Sequence, residues 1–202
     1  MTTNKKLLAF IKEAQDLCEP EKVVWIDGSE AQLEELRKIA VDQKILIKLN
    51  QEKLPGCYLH RTSVNDVARV EGRTFICSKN KDDSAPINNW METEEAYKLL
   101  KGLFKGVMKG RTMYVIPYSM GAVGSKFSKI GIEITDSIYV VLNMAIMTRV
   151  GQKVLDALGD GDFIKGWHSY AELSEEKRYI CHFPEDNTIK TKIAKKENRR
   201  AM

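Results

Sequence analysis

Arg69 is the side chain best suited to recognition chemistry. It stands in Asn65-Asp66-Val67-Ala68-Arg69-Val70-Glu71, among small and apolar neighbours. A guanidinium in such company is either half of a buried ion pair, with Asp66 or Glu71, or a planar fork that grips a carboxylate or phosphate. The local sequence alone favours the ion pair. Other groupings carry less chemistry. Gly121-Ala122-Val123-Gly124-Ser125-Lys126 looks like a phosphate loop, but two residues separate its glycines and Ser125 stands before the lysine. A phosphate loop needs four residues between the glycines and Lys directly after the second, so a surface loop is the plainer reading. Gly159-Asp160-Gly161-Asp162 lacks the further oxygen ligands and terminal Glu of a calcium loop. It reads as a helix-ending turn, where Gly supplies a left-handed cap. His60, His168 and His182 form no i, i+4 pair, and His182 falls in an apolar strand as a core or edge residue. Cys18, Cys57, Cys77 and Cys181 show no metal-ligand spacing. They read as reduced structural thiols, and no metal site is expected of this chain.

The elements that must position these groups follow from periodicity. Lys5 to Cys18 is an amphipathic helix with Leu7, Leu8, Ile11, Ala14 and Leu17 on one stripe, stopped by Glu19-Pro20. Val23 to Ile26 is a strand, and Asp27-Gly28-Ser29 is a turn that caps a second helix over Glu30–Val41. Ile45 to Ile47 is a brief apolar segment, and residues 50–66 are loop-rich. Val67 to Ser78 is strand-like, Lys79 to Asn89 is a loop, and Thr93 to Phe104 is a helix with Glu94 and Glu95 in its first turn. Thr112 to Pro117 and Ile130 to Thr135 are strand-like, with a Gly/Ser-rich loop between them. Tyr139 to Val150 suits a helix, as does Gln152 to Leu158, and Tyr179 to Phe183 is a strand ended by Pro184. Strands and helices alternate without a regular βαβ rhythm, which predicts a mixed α+β domain rather than a doubly wound sheet.

Composition narrows the class further. The 202 residues are 43% hydrophobic and 30% charged, the mix of one globular domain, with no apolar run of membrane-spanning length. The polar start, Met1 to Lys6, lacks a secretory core, which places the expectation in the cytoplasm. The net charge of +4 belongs to residues 188–202, which hold Lys190, Lys192, Lys195, Lys196, Arg199, Arg200 and the single anion Glu197. The remainder carries 26 basic against 27 acidic residues. A folded body over 1–187 and a disordered basic tail over 188–202 are therefore expected. Six cations in that tail could touch nucleic acid in a salt-sensitive way. No aromatic residue is there to stack on a base, so nucleic acid is not the expected partner.

Several stretches together resemble a known family. Gly110-Arg111-Thr112-Met113-Tyr114-Val115-Ile116-Pro117 with Ser119-Met120-Gly121 is similar to GTP-dependent phosphoenolpyruvate carboxykinases. So are Ser128 to Ser137, Tyr139-Val140-Val141, Ile146-Met147-Thr148-Arg149 and Leu155 to Lys165. Upstream, Asp27-Gly28-Ser29, His60-Arg61-Thr62 and Asp66 to Glu71 match; downstream, His182-Phe183-Pro184-Glu185 matches. The resemblance covers roughly residues 20–187. It implies the fold of that family's N-terminal domain. It also implies a reversible reaction in which oxaloacetate and GTP give phosphoenolpyruvate, GDP and carbon dioxide, a step of gluconeogenesis. By resemblance, Arg69 grips the substrate's carboxylate or phosphate, which shifts its reading away from the structural pair. Glu71 matches a family residue near the mobile lid.

The departures are equally informative. The family's Tyr-Gly-Gly-Asn substrate loop, metal-binding Lys, His and Asp, phosphate loop and guanine pocket have no counterpart here. Gly166 and Trp167 replace a family Cys and Leu, a loop near 170–175 is shortened, and Ala122 and Lys126 replace two prolines. A diverged copy is thus expected rather than a simple truncation. The implied role is an N-terminal substrate-recognition part, inactive alone, since phosphoryl transfer depends on metal and cations placed around the phosphates. GTP and manganese or magnesium would be bound by the missing half. The alternative is a non-catalytic binding or regulatory subunit. It would pair with a full-length homologue, a separate C-terminal half or a second copy.

Overall fold

The computed structural model describes residues 2–61, 71–170 and 177–192. Helix α1 (Lys5–Cys18) is capped by Asn4, whose side-chain oxygen accepts from Leu7 N at 3.0 Å. The Asn4 amide also donates to the carbonyls of Gly159 and Gly161 at 2.9 Å each. One buried residue thus caps α1 and ties it to the Gly-Asp-Gly-Asp turn, which ends helix α5 (Gln152–Leu158) at Gly159, whose φ is positive at 51° and whose N–H bonds the Leu155 carbonyl. Ser29 caps α2 (Glu30–Asp42), and Ser137 caps α4 (Ile138–Met147). At α3 (Thr93–Phe104) the cap is Glu92, one residue earlier than Thr93; its carboxylate accepts from Glu95 N.

Among the described residues, the principal sheet runs β1 (Lys22–Trp25), β6 (Thr112–Met120), β7 (Lys129–Thr135), β9 (Ile164–Ser169), β11 (Thr188–Lys192), β10 (Tyr179–Phe183), β4 (Thr74–Cys77), β5 (Asn89–Met91). Strand β8 (Arg149–Val150) pairs with β6, and β2 (Ile47–Lys48) pairs with β3 (Tyr58–Leu59) as a separate ribbon. The pairing is mixed. β1 is parallel to β6, β7 to β9, β9 to β11, and β10 to β4. β6 with β7 and β10 with β11 are antiparallel. This is the mixed α/β single domain read from the sequence.

The main core lies on one face. Trp167 of β9 packs among Phe10 of α1 (5.9 Å between centroids) and Phe104 of α3 (5.3 Å), with Ile132, Ile134 and Met113 beside them. A second cluster joins Ile26, Tyr114 and Ile116 to Leu33 and Leu36 of α2 and Val141 and Leu142 of α4, on the other face of β1 and β6. Two glycines fix a contact between loops: a β-carbon on Gly28 would strike the Val150 carbonyl, and one on Gly151 the Asp27 carbonyl. Both have positive φ, +78° and +100°, so glycine is required there for conformation as well as space.

One expectation needs correction. Thr188 to Lys192, assigned to a disordered tail, form strand β11 in the sheet interior, so the folded body extends past 187. The turn Pro184–Asp186 and Asn187, in the left-handed conformation at φ 49°, fold the chain back on β10. Ladder bonds on both sides outweigh the polar sequence, and the apolar stems of the lysines can lie against ring faces. Residues 193–202 lie outside the described residues.

Candidate functional site

The topology gathers charged groups at one end of the sheet. Because β7, β9 and β11 run parallel, their carboxyl ends (Thr135, Ser169 and Lys192) lie together. The antiparallel strands deliver their amino ends to the same edge: Arg111 before β6, Arg178 before β10, and Arg73 before β4, which is parallel to β10. Ligands of open sheets containing parallel strands commonly bind at such carboxyl ends. Arg73, Arg111, Lys177, Arg178 and Lys192 make this edge cationic.

Asp136, directly after β7, organises the centre. Its side chain is fully enclosed and accepts from Arg111 Nη1 at 2.8 Å, Ser169 Oγ at 3.2 Å and the Tyr170 backbone N–H at 2.7 Å. Next to it, Thr135 Oγ1 lies 2.8 Å from His168 Nδ1 and accepts from Ser137 N at 3.1 Å. At the β4 end, Arg73 donates to the Tyr179 hydroxyl at 2.9 Å, with its guanidinium 5.1 Å from that ring's centroid. Arg178 and Lys192 are buried. Charge-assisted bonds of this kind orient cations and hold strand ends in place. An edge so built can bind and align an anion. Among the described residues no group of three His, Cys, Asp or Glu side chains lies together as a metal site.

The sequence-derived residues stand as follows. Arg69 lies outside the described residues, as does Asp66, its possible partner. Glu71 opens a short turn, Glu71–Arg73, at the amino end of β4; it is exposed, and its carbonyl accepts from Asn89 Nδ2 at 2.6 Å. The turn places it on the cationic edge. Gly121 to Lys126 form the hairpin loop between antiparallel β6 and β7, with Ser125 N bonded to Ala122 O at 3.1 Å. A strand follows where a phosphate loop would need a helix, so the surface-loop reading is right. His60 is held by Ile45 O at 2.6 Å and stacks on Tyr139 at 3.9 Å, far along the chain from His168 and His182. His182 is half-buried on β10, an interior strand, and burial lowers its pKa. Three cysteines are buried free thiols, and Cys57 is exposed.

Two features escaped the sequence reading. The first is the Asp136 cluster, whose only signal was Thr135-Asp136-Ser137 at the junction of a strand and a helix. The second is Glu133, in the middle of β7. Its carboxyl fills the space over Gly166, where a β-carbon would collide with Oε2, while the Tyr118 ring fills the space over Gly131. Burial pushes the Glu133 carboxyl up to about 8. Gly166 therefore makes room for an acid side chain.

Residues 9–193 match the family model described as the phosphoenolpyruvate carboxykinase N-terminal domain. The chain is 55% identical over 189 residues to "Phosphoenolpyruvate carboxykinase [GTP]" of Anaeromyxobacter sp. (strain K), covering 93% of this chain and 32% of that protein. It is 50% identical over 199 residues to the protein of the same name from Neocallimastix frontalis, covering 92% and 33%. It is 48% identical over 199 residues to that from Corynebacterium kroppenstedtii, covering 93% and 32%. The chain thus spans about a third of the length of the curated relatives it matches. A match that starts inside α1 and runs through the whole sheet to the end of β11 leaves one assignment: this chain belongs to the phosphoenolpyruvate carboxykinase family and represents its N-terminal domain.

Proposed function

We propose that this chain is the substrate-recognition part of a GTP-dependent phosphoenolpyruvate carboxykinase and does not turn over alone. The observation that supports it is the family match over an intact sheet whose one edge collects arginines and lysines. In this reading the Arg69 guanidinium forks onto the carboxylate or phosphate of oxaloacetate or phosphoenolpyruvate. Glu71, on the same edge, meets the lid of the complete enzyme. GTP and manganese or magnesium belong to the other two-thirds of such an enzyme. The metal would supply charge neutralisation at the transferred phosphoryl group there. The described residues of this chain offer it no clustered donor set, so every step assigned here is binding and orientation. The compartment in this reading is the cytoplasm; no helix of the described residues is long and apolar enough to cross a membrane. The purified chain is expected to show no GTP- and manganese-dependent loss of oxaloacetate. Turnover that requires both would contradict the proposal.

A second reading, a module that docks on a full-length carboxykinase or a separate C-terminal half, draws on one observation. The end of the sheet opposite the cationic edge exposes Met120 (55%) and Phe127 (91%) of the β6–β7 hairpin. Ile146 (80%) and Met147 (68%), at the end of α4, are brought alongside by the pairing of Arg149 with Ser119. Exposed apolar groups gathered in one place mark interaction surfaces. Mixing with a full-length relative should give a heavier species on sizing, lost in Phe127→Ser. A mixture that elutes as two separate components would remove this reading.

A further inference from the structure

The clamp around Asp136 leaves one arginine facing outward from the cationic edge. Arg111 is fixed through both its backbone and its side chain. Its N–H donates to Met108 O at 2.9 Å, and its carbonyl accepts from Glu21 N at 2.9 Å. Its Nη1 donates to the fully enclosed Asp136 carboxylate at 2.8 Å. That carboxylate is held in turn from the end of β9, by Ser169 Oγ at 3.2 Å and the Tyr170 N–H at 2.7 Å. A guanidinium carries its N–H donors in a rigid planar fork. With Nη1 on Asp136 the fork is braced from behind. Its Nε and Nη2 make no bond among the described residues, and the side chain is 41% exposed. The other described arginines of the edge are placed differently. Arg73 is half-buried against Tyr179, and Arg178 is 6% exposed.

We infer that Arg111 is a second anion-binding residue of this edge and that Asp136 is its positioning residue. The inference rests on the reading of the edge as an anion site and extends that reading to a second guanidinium. The ligand class is a small phosphate or carboxylate that accepts two parallel N–H bonds, the match a guanidinium fork offers. Asp136 acts on such a ligand in two opposed ways. Its charge repels the anion, and its bond to Nη1 holds Arg111 where the anion arrives. The donors of Arg111, Ser169 and Tyr170 already offset much of the carboxylate's charge. A long side chain ordered beforehand loses little freedom when the ligand binds. Positioning is therefore the larger effect, and Asp136 serves the site through Arg111 without touching the ligand.

The test is a titration of the full chain with inorganic phosphate at fixed ionic strength, followed by NMR shifts, on the parent, Arg111→Lys and Asp136→Asn. Arg111→Lys keeps the charge and removes the fork. Asp136→Asn keeps the size and an acceptor oxygen and removes the charge on the brace. Phosphate should shift Thr112, Ser169 and Tyr170 in the parent, and each variant should bind it about fivefold or more weakly. The sign at Asp136→Asn separates positioning from charge: a carboxylate acting by repulsion alone would give tighter binding once removed. A purely structural role would lower the melting temperature and leave the affinity of the folded protein unchanged. Unchanged or tighter binding by folded Asp136→Asn therefore overturns the positioning role. A parent without shifts at Thr112 and Tyr170, or an Arg111→Lys variant that binds as tightly as the parent, overturns the inference whether or not Asp136→Asn folds. Arg69→Ala keeps the two readings apart. It should leave the phosphate shifts at Thr112 and Tyr170 in place, and their loss in that variant would assign them to Arg69 and count against Arg111.

Discussion

Glu133 shows how a single residue can make the domain pH-sensitive. Its carboxyl ordinarily titrates near 4.5, and burial beside Tyr118 and Gly166 raises it to about 8. Between those values the native protein holds a proton that the unfolded chain has released, so stability falls as pH rises from about 4.5 to about 8. Below that window the proton is bound in both states, and above it in neither. Glu133→Gln removes this slope. The expected result is a higher unfolding midpoint than the parent at pH 8.5, by roughly 2–4 °C for each kcal/mol relieved, and little difference at pH 4.5. Parallel midpoint curves for the two proteins would show that Glu133 carries no such load. Nothing in the sequence marked this residue. Ile132-Glu133-Ile134 reads as ordinary strand alternation with the polar side in water. Only the glycines at 131 and 166, on two strands, show that its side faces a filled space.

At the level of elements, local patterns were legible where one face is apolar and the ends carry caps. α1 was read with its full extent, Lys5–Cys18, and β10 likewise, Tyr179–Phe183. α2 ended one residue later than its apolar stripe. β9 and β11 were not seen as strands. β9 holds Gly166, Trp167, His168 and Ser169 all buried, so it lacks the alternation that signals a strand with one wet face. β11 has lysines where apolar residues belong, and its pairing partners lie 20 or more positions away for β9 and across a turn for β10. Tertiary pairing overrode composition. The correction changes the expected effect of shortening the chain. Removing 193–202 should leave the unfolding midpoint within about 2 °C, because this stretch is polar and basic without apolar period. Removing 188–202 takes β11 from between β9 and β10 and should lower the midpoint by more than about 10 °C or abolish cooperative unfolding. If thermal melts of the two shortened chains coincide, β11 contributes nothing and its place in the fold is misassigned.

For the whole molecule, family and fold class were legible because the matching segments are collinear over most of the chain, well beyond any short motif. The site was only partly legible. Arg69 and Glu71 were nominated through resemblance alone, whereas the edge that Glu71 joins is assembled from strand ends remote in sequence, Arg73, Arg111, Asp136, Ser169, Arg178 and Lys192. No periodicity reports which strand ends meet. The proposed recognition of a small carboxylate or phosphate anion rests on Arg69. The direct measurement is a titration with phosphoenolpyruvate followed by NMR shifts, on the parent and on Arg69→Ala. For a chain that spans about a third of its relatives' length, affinity near the millimolar range is expected, about 4 kcal/mol of binding free energy. A charge-assisted bond supplies about 1.5–3 kcal/mol of that, so the folded variant should lose about tenfold or more in affinity. The shifts should centre on residues of the cationic edge, His168 to Tyr170 and Arg178 among them. Equal binding by parent and folded variant, or shifts centred on the hairpin at Met120 to Phe127, would contradict the account.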